Sequence, residues 1–407
     1  MLKAMDKMMA PYFGLSRDIY IIALTEFVLA LGRFVFPFLS LLLTQKLGLT
    51  IAQAGVWIAV TGLNSLLGSL IGGKLSDHCR RRSIIIVGQA CSVMVMFVGG
   101  FCTTGLAILP LIFIASFTMG VAMPAVRALL TDLSTPDNRD AVMSFSYLVF
   151  NLGFGAGLLL AGFLFTHYTH WLFWLDALTT FVSLLLIIFY LAEGHTVEAN
   201  SHLEQAVVGS VWLVLKQRPQ LVSYTLICTV LSLTMAQLIF AFPLYLAVLF
   251  NAQGAQYYGQ IMTANAVIVV IFTPILAVLT RGYSALIGTM IAAIFLGLCY
   301  STLLLNQSLI VIFLAVFFMT VAEVLIVTKS SVFIANHSPS SHRGRITGIL
   351  PAVINSANYF SPVMMGGYID HFGFHALWYL MIILAVLGVC SLGLMSLSEL
   401  KHSHLYR

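Results

Sequence analysis

Long apolar runs, separated by short polar breaks, fill almost the whole chain. A helix needs about 20 consecutive apolar residues to cross the hydrocarbon core of a bilayer, which is ~30 Å thick. The breaks contain charged residues or clusters of Gly, Pro and Asn, which commonly mark the ends of regular elements. The pattern predicts twelve membrane-spanning helices, with the approximate limits 18–44, 51–75, 83–104, 107–132, 140–166, 170–193, 220–250, 256–281, 284–304, 308–336, 343–371 and 374–398.

Composition agrees with a membrane protein. Hydrophobic residues make up 60% of the 407 residues and charged residues only 8%, against about 45–50% and about 25% in soluble globular proteins. Because so few charges could not cover a soluble fold of this size, we expect most of the surface to face lipid. This excludes a soluble enzyme, a nucleic-acid-binding domain and a secreted disulfide scaffold.

The six cysteines lie mostly inside apolar runs, and neither they nor the histidines show the spacing of metal ligands. We interpret the cysteines as small buried residues. The sequence therefore gives no reason to expect a metal or a cofactor.

Lysine and arginine residues are distributed unevenly between the two sides of the predicted bundle. With the amino terminus inside, the inner segments hold fifteen of them and the outer loops only Lys46. Basic residues accumulate on the cytoplasmic side of membrane proteins. The sequence therefore predicts a multi-pass protein of a bacterial cytoplasmic (inner) membrane, with both termini in the cytoplasm.

A polar stretch in the middle of the chain divides the predicted spans into two groups of six. We predict an amino-terminal half over residues 1–193, a linker over 194–219 and a carboxy-terminal half over 220–407. Apolar residues within 202–217 recur with helical spacing, which favours an amphipathic helix on the inner membrane surface. A disordered linker is the alternative.

The two halves repeat each other at an offset of 204 residues. Residues 134–162 align with 338–366, so that Gly162 meets Gly366. Each segment follows the fourth span of its half. Two halves of the same orientation are the parallel-repeat plan of a rocker-type secondary transporter.

The loop between spans two and three reads GGKLSDHCRRRS over residues 72–83. It resembles the signature loop of the major facilitator superfamily, roughly G-x-L-x-D-R-x-G-R-[RK], which it matches at Gly73, Leu75, Asp77, Arg81 and Arg82. Gly73 would let two helix ends approach closely, and Asp77 could face a helix N-terminus or pair with an arginine. The resemblance implies a gate at the inner helix ends. A simple positive-inside anchor is the alternative.

The fifth span resembles the antiporter motif of the same family, in outline G-x3-G-P-x2-G-G. The corresponding positions are Gly153, Gly157, Leu158, Ala161 and Gly162, so the proline and one glycine are replaced. Small residues at this spacing allow close helix packing. The resemblance implies an all-α major facilitator fold of two pseudo-symmetric six-helix halves, similar to the drug:proton antiporter branch.

Five ionisable residues lie well inside predicted spans, where each costs about 2.5–3.5 kcal/mol to insert. An uncompensated carboxylate at such depth should prefer its neutral form, so we predict that Glu26 and Glu323 exchange protons. A structural hydrogen bond is the alternative for each. Asp176, near the outer start of span six, is interpreted as structural. The five residues are Glu26, Arg33, Arg127, Glu323 and Lys329.

The resemblance implies that spans one, four, seven and ten line a central cavity. Arg33 could attract an anionic group of a substrate or hold Glu26 ionised, and these two outcomes conflict. Arg127 lies near the cytoplasmic end of span four, where we expect it to serve the gate with Arg81 and Arg82. An anchor that snorkels to the membrane surface is the alternative for Arg127.

The remaining cavity candidates are mainly aromatic, with a few polar groups. Such a lining suits a lipophilic or cationic substrate better than a sugar, which needs many hydrogen-bonding groups. The substrate-cavity candidates are Arg33, Phe34, Tyr147, Phe150, Phe242, Tyr245, Lys329, Asn355, Asn358 and Tyr359.

These features favour a secondary transporter that moves a small lipophilic or amphiphilic substrate by proton-coupled efflux. The alternatives are a proton-coupled symporter or an exporter of a peptide, an anion or another metabolite. A receptor or an intramembrane enzyme is a further class, but the chain has no HExxH or GxSxG motif and no membrane-embedded Asp pair. We expect a non-enzymatic monomer whose partners are substrate, protons and lipid, and not nucleic acid.

Overall fold

The computed structural model describes residues 12–103, 105–135, 138–191, 211–339 and 342–405. Throughout these ranges the regular structure is helical and no strand is present. Up to residue 191 the long helices are α1 (Arg17–Leu31), α2 (Ile51–His78), α3 (Arg81–Gly99), α4 (Ile108–Leu133), α5 (Arg139–His167) and α6 (Thr169–Tyr190). The later ones are α7 in two segments (Pro219–Met235 and Gln237–Phe250), α8 (Gly254–Leu279), α9 (Ala285–Leu305), α10 (Leu309–His337), α11 (343–372) and α12 (374–405).

Nine helical segments within the described ranges are long and apolar enough to cross a membrane. Two of them, Pro219–Leu279 with 61 residues and Arg345–Ser398 with 54, are far longer than the about 20 residues that one crossing requires. Both contain breaks, at Asn251–Gln253 and at Gly373, where φ is +77°. The prediction of an all-α, multi-pass membrane protein is confirmed, and the exact number of twelve crossings stays a prediction.

The first predicted span is interrupted in its middle. α1 stops at Leu31, and helical structure resumes at Leu39–Leu41, which leads into a π-helical turn over Leu42–Lys46. A Cβ atom at Gly32 would collide with the hydroxyl of Thr179 on α6, so glycine permits close contact at the break. Irregular backbone at membrane depth is tolerated only where other parts of the protein cover it.

The described residues form two compact units. The first contains the residues up to Leu49, those from Val60 to the end of α6, and Leu246–Val267, whereas the second contains Thr50–Ala59 and the remainder. The predicted boundaries of the halves stay predictions. Of the predicted linker helix, Val211–Gln217 is helical, and the part before residue 211 lies outside the described residues.

In the first unit, α5 and α8 touch through glycines. A Cβ atom at Gly162 on α5 would lie 2.7 Å from the carbonyl oxygen of Ala255 on α8. Conversely, a Cβ atom at Gly259 on α8 would collide with the carbonyl oxygen of Leu158 on α5. The two backbones are therefore in direct contact, as small residues at helix crossings allow.

The second unit contains an equivalent crossing between α2 and α11. A Cβ atom at Gly366 would lie 2.7 Å from the carbonyl oxygen of Ile51, and one at Gly55 would collide with the carbonyl oxygen of Pro362. Each of these four positions is 204 residues from its counterpart in the first unit. The matched contacts therefore have the same offset as the repeat that the sequence predicts.

Candidate functional site

Glu26 lies on α1, nine residues after the start of the helix and five before its end, which is about 13 Å and 8 Å along the axis. Its carboxylate accepts a hydrogen bond from the hydroxyl of Ser146 on α5. The guanidinium groups of Arg33 and Arg127 interact with it electrostatically. Within the described part of the chain, neither arginine forms an ion pair with Glu26. The carboxylate thus has a hydroxyl as its direct partner and lies in a positive field.

Ser146 reaches Glu26 because α5 packs closely on α1. A Cβ atom at Gly153 would lie 2.5 Å from the carbonyl oxygen of Phe27, and one at Gly157 would collide with that of Leu31. The close packing predicted for this glycine motif is therefore present. Its glycines position the hydroxyl that binds the carboxylate.

Arg33 follows the carboxyl end of α1, where the helix dipole favours a cation. Its Nη2 atom lies 4.0 Å from Sδ of Met119 and 3.9 Å from Sδ of Met123, both on α4. The guanidinium carbon lies 5.5 Å from the ring centroid of Phe150 on α5, within the range of a cation–π interaction. No carboxylate among the described residues forms an ion pair with Arg33. The guanidinium therefore lies among soft, polarizable groups.

Asp176 on α6 is part of the same charge system. Its side chain is only 5% exposed, the side chain of Thr180 lies next to its carboxylate, and it interacts electrostatically with Arg33. The contact of Gly32 with Thr179 brings α6 to the break in α1. The only signal in the sequence was an acidic residue within an apolar run. The sequence did not indicate which helix packs on the break in α1. The structural role expected for Asp176 stays a prediction, and the structure adds its electrostatic interaction with Arg33.

Glu323 lies at the midpoint of α10, 14 residues from each end, or about 21 Å along the axis. Its side chain is partly exposed and stands between buried Ala322 and Val324. The structure thus places it deep within a long apolar helix. Its exchange of protons stays a prediction.

Lys329 makes contacts within the second unit that the sequence did not reveal. Its Nζ atom donates a hydrogen bond of 2.7 Å to the carbonyl oxygen of Thr280, one residue beyond the end of α8. Its methylene groups cover Gly288 on α9, where a Cβ atom would lie 2.8 Å from Cγ and Cε. Basic side chains commonly satisfy the last carbonyl groups of a helix in this way. A place for Lys329 in the substrate cavity stays a prediction.

The other cavity candidates differ in exposure. Phe242 and Tyr245 are buried, with ring centroids 5.7 Å and 5.3 Å from that of Trp378. Phe34 is 1% exposed, so these three side chains contact neighbouring protein groups in this structure. Their role towards a substrate stays a prediction, as does that of the exposed Tyr147, Asn355 and Asn358 and the partly exposed Phe150 and Tyr359.

The predicted gate residues join the ends of α3, α4 and α6 in the first unit. Arg81 forms an ion pair with Asp132 and donates a hydrogen bond of 2.6 Å to the carbonyl oxygen of Ala128. Arg82 donates one of 2.6 Å to the carbonyl oxygen of Ile188. Arg127 is exposed, and the side chain of Asp77 lies outside the described part of the structure. The gating roles stay predictions.

The close approach expected at Gly73 is wrong, because it occurs at neighbouring glycines. A Cβ atom at Gly73 would meet no atom of the described residues within 4 Å, whereas one at Gly72 would collide with the carbonyl oxygen of Val121 on α4 and one at Gly68 with that of Phe117. Residues four apart share a helix face, and the next residue points about 100° away. Gly68 and Gly72 therefore form the contact between α2 and α4.

Across the ranges that the structure describes, no group of three or more His, Cys, Asp or Glu side chains is arranged to hold a metal ion. The polar groups of the site are instead carboxylates, guanidinium groups and hydroxyls on helices within the predicted spans. Such groups can bind protons and the charged groups of a substrate.

Comparison with known sequences places these features in a family. The family model described as Major Facilitator Superfamily matches residues 22–350 and 254–404. The uncharacterized MFS-type transporter YqjV of Bacillus subtilis is 23% identical over 364 residues, which cover 88% of this chain and 87% of that protein. The Na(+), Li(+), K(+)/H(+) antiporter of Planococcus maritimus is 21% identical over 340 residues, or 76% and 80% of the two chains. The quinolone resistance protein NorA of Staphylococcus aureus is 25% identical over 151 residues, or 37% and 39%.

Solved transporter structures share the fold. The nucleoside transporter NupG superposes with a TM-score of 0.75 at 14% identity, covering 93% of this chain and 99% of that one. The peptide transporter POT in complex with sulfate gives a TM-score of 0.75 at 16% identity, covering 93% and 95%. At these identities, the likeness shows the architecture and not the substrate.

Proposed function

Because the chain belongs to the Major Facilitator Superfamily, we propose that it exports small lipophilic or amphiphilic compounds across the membrane in exchange for protons. The observation that carries this proposal is the environment of Glu26. The carboxylate lies on α1, inside the first span that the sequence predicts, binds the hydroxyl of Ser146 and lies in the field of two arginines without an ion pair to either among the described residues.

These surroundings allow Glu26 to exchange a proton. A carboxylate that formed a close ion pair would remain ionised, whereas a hydroxyl partner such as Ser146 can donate to the ionised form and accept from the protonated form. Proton uptake removes the cost of a charge away from water. It also removes the attraction between Glu26 on α1 and Arg127 on α4, so each proton changes the interaction between two helices.

The residues near Arg33 support a lipophilic substrate. Met119, Met123 and Phe150 offer flexible, polarizable and aromatic surface beside the charge system, of the kind used at binding sites that accept varied ligands. A lipophilic cation would compete with the proton for Glu26. Export with antiport also agrees with the names of two relatives, a quinolone resistance protein and a cation/proton antiporter.

Arg33 favours a second candidate function, the proton-coupled transport of an anionic amphiphile. Its guanidinium group has no carboxylate partner in an ion pair among the described residues, and arginine binds carboxylates and phosphates with two parallel hydrogen bonds. In this case the substrate would neutralise Arg33 instead of replacing the proton on Glu26.

A transport assay in proteoliposomes separates the two candidates. For the first, we expect vesicles with an acidic interior to accumulate the lipophilic cation ethidium, with Glu26→Gln abolishing accumulation and Arg33→Gln preserving it. Accumulation of an acidic dipeptide that is lost in Arg33→Gln and driven by an acidic exterior would support the second candidate. If a pH gradient moves neither probe into protein-containing vesicles beyond protein-free ones, the proposal is wrong.

A further inference from the structure

A cavity of about 310 Å³ opens in the first unit where α1 and α3 begin and α4 and α6 end. This volume is at the lower end of the range of about 300–1,000 Å³ that is typical of small-ligand sites. Its lining combines polar and apolar side chains in equal number. The polar lining consists of Asp18, Arg80, Arg81, Arg82 and Ser83, and the apolar lining of Ile86, Leu129, Leu133, Ile188 and Leu191.

Two of the three arginines are held in place by contacts with neighbouring helices. The ion pair with Asp132 fixes Arg81 to α4, and the hydrogen bond to the carbonyl oxygen of Ile188 fixes Arg82 to α6. Arg80 immediately precedes α3 and is exposed at the edge of the cavity. The cluster is therefore largely pre-organised, which lowers the entropic cost of binding a ligand.

The charge of the cavity favours an anion. Among the described residues, the cavity lining and its ion pair contain three guanidinium groups and two carboxylates, those of Asp18 and of Asp132, the partner of Arg81. The amino end of α3, a helix of 19 residues, begins at Arg81 and has no side-chain cap, so its dipole adds positive potential at the same place. Planar guanidinium groups match the oxygen geometry of phosphate.

The apolar lining distinguishes a lipid from free phosphate. Leu129, Ile187 and Leu191 belong to a buried apolar cluster that continues beneath the cavity, and such a surface would gain nothing from inorganic phosphate. A phospholipid supplies both a phosphate group and an acyl chain. Arg80, Arg81 and Arg82 also lie at the end of the bundle where the sequence predicts the inner membrane surface. Basic pockets between helices at that surface are suited to lipid headgroups.

We propose that this cavity binds the phosphate group of a membrane phospholipid, with Arg80 and Arg82 contacting the phosphate and the start of an acyl chain lying against Ile86 and Leu133. This site is separate from Glu26 and Arg33 and does not depend on the transported substrate. Because Arg81 links the cavity to Asp132, lipid binding would also hold α3 and α4 together.

Native mass spectrometry of the full-length protein in detergent tests the proposal with dioleoylphosphatidylglycerol and dioleoylglycerol, which share acyl chains but differ in the phosphate. We expect binding of the phospholipid and not of the glycerolipid, and about tenfold weaker phospholipid binding by Arg80→Gln, which removes charge-assisted hydrogen bonds. Lys74→Gln is the matched control, because Lys74 is exposed near the same end of the bundle but does not line the cavity.

Three outcomes would overturn the proposal. Equal binding of the two lipids would show that the phosphate is not recognised. An equal loss of phospholipid binding in Lys74→Gln and Arg80→Gln would show that general surface charge attracts the lipid. Displacement of the phospholipid by millimolar glycerol phosphate or inorganic phosphate would assign the cavity to a soluble anion.

Discussion

At the scale of single residues, depth along a predicted span identified the intramembrane charges but not their partners. Glu26 and Arg33 could be recognised because they stand inside an apolar run. The relative position of the two side chains could not be predicted, because it depends on the break after α1 and on the helices that pack there. Ser146, which binds Glu26, is one of many serines in apolar runs and carries no signal in the sequence.

The first prediction concerns the coupling between Arg33 and Asp176. Asp176→Asn leaves the shape of the side chain nearly unchanged but removes a negative charge from the surroundings of Arg33. We expect it to destabilise the protein by about 1–2 kcal/mol, since a charge interaction at moderate distance near a protein interior has this size. The double variant Asp176→Asn with Arg33→Gln should lose less stability than the two single variants lose in sum.

Thermal unfolding in detergent of the wild type, both single variants and the double variant measures this interaction in a double-mutant cycle. Additive losses would contradict the coupling and would return Asp176 to a purely structural role.

A second prediction distinguishes the two roles of Lys329. Lys329→Met keeps the aliphatic chain over Gly288 and removes the donor to Thr280, so we expect a loss of about 1 kcal/mol in stability and an unchanged substrate profile. Lys216→Met, on an exposed position of the short helix before α7, should leave stability unchanged. An unchanged unfolding temperature of Lys329→Met together with altered substrate preference would instead place Lys329 in the cavity.

At the scale of elements, glycine spacing predicted close helix packing on α5 correctly, and it failed at Gly73. The motif over residues 72–83 identified the loop after α2 correctly. Which face of α2 contacts α4 depends on the rotation of the helix about its axis, and a single position does not define this rotation. The break in α1 was also missed. Gly32 and Pro37 were visible as breakers, but membrane helices often continue through such residues.

The third prediction uses this difference between glycines. Gly55→Ala and Gly259→Ala should each destabilise the protein by about 1–3 kcal/mol, because the added methyl group would collide with a carbonyl oxygen across a helix crossing. In Gly73→Ala the added methyl group would meet no atom within 4 Å in the part of the chain that the structure describes, so the variant should be neutral or stabilise by up to about 1 kcal/mol through helix propensity.

Unfolding temperatures in detergent provide the measurement for all three variants. Similar losses at Gly55 and Gly259 would agree with their equivalent places in the repeat. A loss at Gly73 as large as at the other two would contradict the assignment of the contact to Gly68 and Gly72.

At the scale of the whole molecule, composition and run length were sufficient for the fold class, and the resemblance to the family is confirmed by the match across the chain. The repeat could be predicted because equivalent helices keep equivalent small residues, as the crossings at Gly162 and Gly366 show. The compact units could not be predicted from the order of the chain. The start of α2 belongs to the second unit, whereas the start of α8 belongs to the first. The substrate is beyond both sequence and fold, since one architecture serves many substrates.

Substrate-induced proton movement in proteoliposomes, recorded with an internal pH indicator, tests most directly whether Glu26 carries the proton. Vesicles that contain the wild-type protein should lose internal protons in proportion to the ethidium that they take up. Glu26→Gln should bind ethidium more weakly, because the carboxylate that attracts the cation is gone, and should still exchange it across the membrane at high concentration, but should move no protons. Proton movement by Glu26→Gln at the wild-type ratio of protons to substrate would contradict the role of Glu26 as the carrier.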